Sequence, residues 1–139
     1  MTVVNRSTYR VIYGDTDQMG VVYYANYLRL FERGRCEIMR QVGFDYGEME
    51  RQGVFVPVVE AQCRYVRPAR FDDLLTIETR VVEIGRVRFS FAYRILRDDD
   101  GQETLLAEGT TLHACLGREG RPVRVPPDIH RFFAVDPGE

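Results

Sequence analysis

The chain contains no lysine: all 19 of its basic residues are arginine. Against 21 acidic residues this gives a formal net charge of −2, without the basic excess of a general nucleic-acid binder. A GC-rich genome is the leading account of the missing lysines, ahead of selection for phosphate-binding forks. No apolar run approaches the roughly 20 residues that a bilayer span needs, so an integral membrane protein is not expected. Cysteine is sparse as well. Cys36, Cys63 and Cys115 are odd in number and widely spaced, which gives neither a disulfide framework nor a CxxC metal knuckle. Met1 to Tyr13 has no continuous apolar core of signal-peptide length, so the expected compartment is the reducing cytoplasm.

Catalytic vocabulary is equally short. There are only two serines, Ser7 and Ser90, and no GxSxG elbow, so the usual serine hydrolase nucleophile is excluded. The two histidines, His113 and His130, lack an HxxxH or HxxE partner; each is expected as a partly exposed strand or helix residue, and no metal site is expected. No P-loop or Rossmann fingerprint is present, and Gly117-Arg118-Glu119-Gly120 has the spacing of neither.

What is present is a chain of 139 residues, 45% hydrophobic and 29% charged, which fits one soluble domain over 1–139 with a real core. Tyr9 to Tyr13 reads as a short strand closed by the turn Gly14-Asp15-Thr16-Asp17. On a helical wheel Tyr27, Leu30, Phe31, Gly34, Ile38 and Val42 form one apolar stripe, and Gly43 stands where a terminating glycine belongs. Gly34 inside that stripe costs about 1 kcal/mol of helix propensity, which predicts close approach to another backbone. Tyr46 to Gln52 predicts a short second helix. Period-two alternation follows, over Val56–Val66, Leu74–Ile84, Val87–Leu96 and about Thr104–Leu116, with turns at Gly85-Arg86 and Asp98-Asp99-Asp100-Gly101. Pro126-Pro127 opens a short last helix ending near Phe133. The pattern is α+β. One helix covers one sheet face; the other face and any free edge still need cover, which predicts self-association.

The segment Gly14 to Tyr27 (GDTDQMGVVYYANY) puts two carboxylates on a loop that runs into the start of the main helix, where unpaired backbone N–H groups can receive an oxyanion. A carboxylate beside an oxyanion site supports acyl transfer. Asp15 or Asp17 could equally form an Asx-turn or cap the helix, and spacing alone leaves that choice open.

The same segment resembles the signature of hotdog-fold acyl-CoA thioesterases of the 4-hydroxybenzoyl-CoA thioesterase type, including the Tol-Pal-associated enzymes. The likeness extends from Asp-Thr-Asp-x-x-Gly-Val-Val-Tyr through Tyr27–Arg35 to the second motif, Tyr65-Val66-Arg67-Pro68-Ala69-Arg70-Phe71-Asp72-Asp73-Leu74. It implies an antiparallel sheet of five or six strands wrapped around one long central helix. It also implies hydrolysis of acyl-CoA to free acid and CoA, with coenzyme A as part of the substrate and no separate cofactor. Asp17 matches the catalytic carboxylate, as nucleophile or as base for water, and Tyr24 matches the residue whose backbone N–H polarises the thioester carbonyl. Tyr27 and Glu60 are candidate substrate contacts, and Arg86 and Arg88 candidate partners of the coenzyme's phosphates. Asp15 is expected to shape the loop. The family's Tol-Pal branch usually carries histidine where this chain has Tyr24, so branch membership stays open. A homodimer or homotetramer is implied, with active sites at the dimer interface. Two rivals remain at this point: a non-catalytic acyl-thioester binding or scaffold protein, and a hotdog dehydratase or hydratase, which would need a histidine near the helix start.

Overall fold

A computed structural model describes residues 3–133. The order of elements is β1 (Val4–Arg10), a single 3-10 turn (Tyr13–Asp15), α1 (Asn26–Gln41), α2 (Tyr46–Arg51), β2 (Val58–Tyr65), β3 (Leu74–Ile84), β4 (Arg88–Asp99), β5 (Gln102–Ala114) and α3 (Pro127–Phe132). The five strands form one sheet in the order β1-β3-β4-β5-β2, with every neighbouring pair antiparallel. This is the α+β arrangement implied above, with the sheet lying around α1. Among the described residues no helix is long and apolar enough to cross a membrane.

Tyr27, Leu30, Phe31, Gly34 and Ile38 of the α1 stripe are buried as its periodicity predicts, Val42 stands at the C-cap half-buried, and Met39, outside the predicted stripe, is buried as well. Phe31 stacks on Tyr93 of β4 with ring centroids 4.3 Å apart. The close approach predicted at Gly34 is real, but its neighbours are the side chains of Ile77 and Thr79 on β3 rather than another backbone. The helix ends in a Schellman arrangement: Gly43 adopts φ +77°, its N–H bonds Arg40 O, and Phe44 N–H bonds Met39 O. Between β4 and β5, Asp100 and Gly101 both take positive φ, as a tight hairpin turn requires.

Three expectations need correction. The first strand lies earlier than Tyr9–Tyr13, because the polar run Asn5-Arg6-Ser7-Thr8 pairs with β3 as an edge strand despite its weak apolar pattern. His113 is not partly exposed: it is 1% exposed, stacked on Phe89 and hydrogen-bonded through both ring nitrogens, to Thr111 and to Val56 O. The outer sheet face needs no apolar cover. Arg6, Glu78, Arg94, Glu108 and Arg64 are successive cross-strand partners, so a rung of alternating charge crosses all five strands. The edge is a different matter. β2 is exposed on both faces, with Val58 and Val59 open at 42% and 48%.

Candidate active site

Residues 14–26 deliver the chain from β1 into α1, and Asp15 organises that delivery. Its carboxylate accepts from the Tyr9 hydroxyl at 2.7 Å and from Ile12 N–H at 2.9 Å. Its carbonyl accepts from Tyr23 N–H and from the Asn26 amide, both at 2.9 Å. Burial and the Asp15 bond push the Tyr9 phenol up, so it remains a donor. Both side-chain bonds fall on Oδ2, so Asp15 holds the loop through that oxygen and its carbonyl, and Oδ1 has no hydrogen-bond partner among the described residues.

Asp17 is placed differently. It closes a small turn: its N–H bonds Val21 O, its carbonyl accepts from Gly20 N–H at φ +81°, and Oδ1 accepts from Met19 N–H at 2.9 Å. The Asx-turn reading is thus correct for one oxygen. Oδ2 has no hydrogen-bond partner among the described residues, and the side chain is half-buried. An anionic oxygen held in place yet free of partners can attack an electrophile or accept a proton.

Beside it α1 begins without a cap. Ala25 stands at the N-cap and has no side-chain oxygen to offer. Asn26, Tyr27 and Leu28 N–H turn back to Tyr23, Tyr24 and Ala25 carbonyls, whereas Tyr24 and Ala25 N–H meet no acceptor among the described residues. Two adjacent open donors at the positive end of a 16-residue helix form a site for developing negative charge.

An aromatic group closes the helix-side wall. Tyr65 at the end of β2 sets its ring edge-on to Tyr24 and Tyr27 and donates its hydroxyl to Tyr24 O at 3.0 Å. Burial, with the neighbouring Cys63 thiol, pushes the Tyr65 phenol up to about 12. Tyr65 had no role in the sequence reading, although it opens the second motif; nothing in a one-dimensional pattern joins it to a carbonyl 41 residues away.

The other candidates are distributed. Tyr27 is buried in the core, behind the open surface at Tyr24. Glu60 lies on the sheet face turned away from α1, its carboxylate accepting from Gln62 at 2.9 Å. Arg86 and Arg88 sit at the β3–β4 turn, and no carboxylate among the described residues lies within ion-pair distance of either. Tyr65 pairs with Ala107 and Arg88 with Ala114, so seven residues of β5, or about 23 Å at ~3.3 Å per residue, separate the two ends. Within one chain Asp17 and Tyr24 share the connection from β1 to α1, whereas Glu60 lies on the outer sheet face and Arg86 and Arg88 at its far end. A cleft of about 760 Å³ between β1 and α1, lined by Tyr9, Asp15, Asn26, Arg29, Arg33 and Cys36, adjoins the Asp15 side of the loop and does not include Asp17 or Tyr24.

With that geometry, comparison with known proteins is decisive at the level of family. A model of the thioesterase-like superfamily matches residues 11–133. The chain belongs to this superfamily. It is 38% identical over 128 residues to the acyl-CoA thioesterase YbgC of Haemophilus influenzae, covering 89% of this chain and 90% of that protein. It is 35% identical over 115 residues to the acyl-CoA thioester hydrolase YbgC of Escherichia coli O6:H1, covering 83% and 84% of the two chains. A crystal structure of a 4-hydroxybenzoyl CoA thioesterase mutant complexed with 4-hydroxybenzoyl CoA superposes with a TM-score of 0.86, covering 94% of this chain and 98% of that one. At 24% identity that likeness speaks for the shared hotdog fold.

Proposed function

We propose that this thioesterase-superfamily protein hydrolyses acyl-CoA thioesters to a free acid and CoA, with Asp17 as the reacting carboxylate and the Tyr24 N–H as oxyanion donor. One observation carries the reading: the partner-free Oδ2 of Asp17 and the open N–H groups at the start of α1 belong to the same short connection. The thioester carbonyl oxygen docks on the helix-start donors, which strengthens their hold as negative charge develops there. A good donor of this kind is worth about 3 kcal/mol in acyl transfer.

Two routes share that geometry. Asp17 can attack the carbonyl carbon directly; the C–S bond breaks, CoA leaves as thiolate and takes up a proton, and water hydrolyses the mixed anhydride. Alternatively Asp17 takes a proton from water, whose oxygen forms the new C–O bond before the C–S bond breaks. Neither route needs a cofactor. The three free thiols accord with action in the reducing cytoplasm.

The exposed β2 edge supports a homodimer, alone or within a tetramer. A two-fold axis that pairs two β2 strands antiparallel sets the Val58 end of one copy beside the Tyr65 end of the other. Arg86 and Arg88, remote within one chain, then approach the helix start of the second copy, where their unpaired guanidiniums suit the coenzyme's phosphates.

Asp17→Asn tests the central claim. Acyl-CoA hydrolysis is expected to be abolished while the circular dichroism spectrum and oligomeric state stay those of the parent. Full activity in this variant contradicts the mechanism. A parent protein that binds acyl-CoA but turns over none across short, long and aromatic chains, with acyl carrier protein thioesters alongside, indicates a binding protein instead. Single turnover in ¹⁸O-labelled water identifies direct attack where label appears in the Asp17 carboxylate, which requires water to enter the mixed anhydride at the Asp17 carbonyl; trapping the anhydride with hydroxylamine as the acyl hydroxamate identifies it where water enters at the substrate carbonyl.

A further inference from the structure

The peptide joining Tyr24 to Ala25 is gripped from the far edge of the sheet. Its carbonyl, Tyr24 O, accepts from the Tyr65 hydroxyl at 3.0 Å and from Tyr27 N–H at a longer 3.3 Å. In a trans peptide the C=O and the following N–H lie in one plane and point in opposite directions, so holding Tyr24 O also aims Ala25 N–H. That N–H meets no acceptor among the described residues. The preceding peptide is held in the same manner by a different group: Asn26 N–H bonds Tyr23 O at 2.9 Å, and Tyr24 N–H is left open.

We infer that Tyr65 is a positioning residue for thioester hydrolysis, orienting and polarising Ala25 N–H as a second oxyanion donor beside Tyr24 N–H. This rests on the hydrolase reading above. A donor on a carbonyl draws electron density along the amide and strengthens its N–H, so the Tyr65 bond does more than anchor the turn. Because the phenol is pushed up to about 12 by burial, it keeps its proton and remains a donor under ordinary conditions. The ring and the hydroxyl carry separable roles. The ring packs edge-on against Tyr27 with centroids 5.2 Å apart and against Tyr24 at 6.4 Å, contacts that phenylalanine would preserve.

Tyr65→Phe is therefore the informative variant, read in two independent ways. In the amide NMR spectrum the Ala25 resonance is expected to move upfield, as the loss of a bond to its own peptide requires, with Tyr24 shifting less. In steady-state assays with an acyl-CoA that the parent cleaves, kcat is expected to fall roughly tenfold or more with KM within about twofold. Affinity for an uncleavable thioether analogue, which develops no oxyanion, should stay that of the parent. An unmoved Ala25 amide overturns the clamp, and an unchanged kcat overturns its catalytic role. A kcat loss matched by equal loss of thioether affinity and of thermal stability also overturns it, since that is the signature of a merely structural hydroxyl. If the parent cleaves no thioester, the hydrolase reading fails and the catalytic role with it, while the Ala25 shift still reports whether the clamp exists.

Discussion

Gly34 of α1 lies so close to Thr79 of β3 that a methyl group on its Cα would fall within 3.0 Å of the threonine hydroxyl oxygen and 2.8 Å from Ile77 Cγ2. The glycine is what lets the helix settle into the sheet, and Thr79 Oγ1, buried and without a hydrogen-bond partner among the described residues, is part of what it settles against. Gly34→Ala gains about 1 kcal/mol of helix propensity, but it must lift α1 off β3, and overpacking of this kind costs about 1–3 kcal/mol. A net loss of up to about 2 kcal/mol is expected by urea denaturation. Adding Thr79→Ala, which empties the contacted volume, should recover part of it. A Gly34→Ala protein more stable than the parent would contradict the packing account.

Gly34 also marks how far the sequence could be read. Periodicity located α1, α2, β3, β4 and β5 because each buries one face, and burial writes itself as 3.6- or 2-residue spacing; β2 shows the same alternation although it is exposed on both faces within one chain. β1 was misplaced because an edge strand facing solvent has little apolar alternation to display. Asp17 and Tyr24 were legible as a local motif, whereas the carbonyl of Tyr24 and the hydroxyl of Tyr65 meet only through strand order and register. The distribution of Glu60, Arg86 and Arg88 was illegible for the same reason: spacing says nothing about which end of a sheet a turn occupies. His113 was read as partly exposed since a lone histidine in a strand carries no sign of the partners that let it be buried.

Glu78 is pinned between two arginines on the outer face, 2.5 Å from Arg6 and 2.8 Å from Arg94, with its side chain only 13% exposed. The Arg94 hydrogen bonds, chiefly, hold its carboxyl below the usual range. A depressed value means that the stabilisation is present above the unfolded carboxylate's pKa, near 4.3–4.5, and is lost as the pH falls through the folded value. Glu78→Gln is expected to cost about 1 kcal/mol at neutral pH, as befits a networked pair rather than an isolated surface one. The loss should shrink in high salt and toward acid pH. Equal stability of parent and variant at neutral pH and low salt would show that the charged rung contributes nothing.

His113 supplies a second pH dependence, of distinct origin. Val56 O can only accept, so Nδ1 carries the proton and Nε2 is left to accept from Thr111 Oγ1 at 2.8 Å; Tyr93 Oη then donates to Thr111 at 2.6 Å. Burial, with a smaller contribution from repulsion by the Arg35 guanidinium and against the opposing effect of the bond to Val56 O, leaves the imidazole pKa below its ordinary value. The unfolded chain therefore takes up a proton that the native one refuses, and stability falls as the pH drops below about 6.5. Denaturation at about pH 7.5 and about pH 5.5 should show that loss in the parent and a smaller one in His113→Gln. Identical pH profiles would exclude His113 as the cause.

Val59 tests the dimer. It is 48% exposed, at the bulge of a strand whose outer edge has no neighbour among the described residues, and it stands beside Val58 at 42%. A lone exposed valine is unremarkable, but a run of them on an unpaired edge invites strand addition, and lysine is the residue that proteins commonly use to prevent it. Val59→Lys is expected to shift the protein to monomer in sedimentation velocity with little effect on the monomer's own stability, because about half of the side chain is already open to solvent within one chain. On the proposed dimer, which brings Arg86 and Arg88 of one copy to the helix start of the other, turnover should fall with the dimer population and KM for acyl-CoA should rise. Arg88→Ala should raise KM without dissociating the dimer. A monomeric Val59→Lys protein with undiminished kcat/KM would show that one chain builds the whole site.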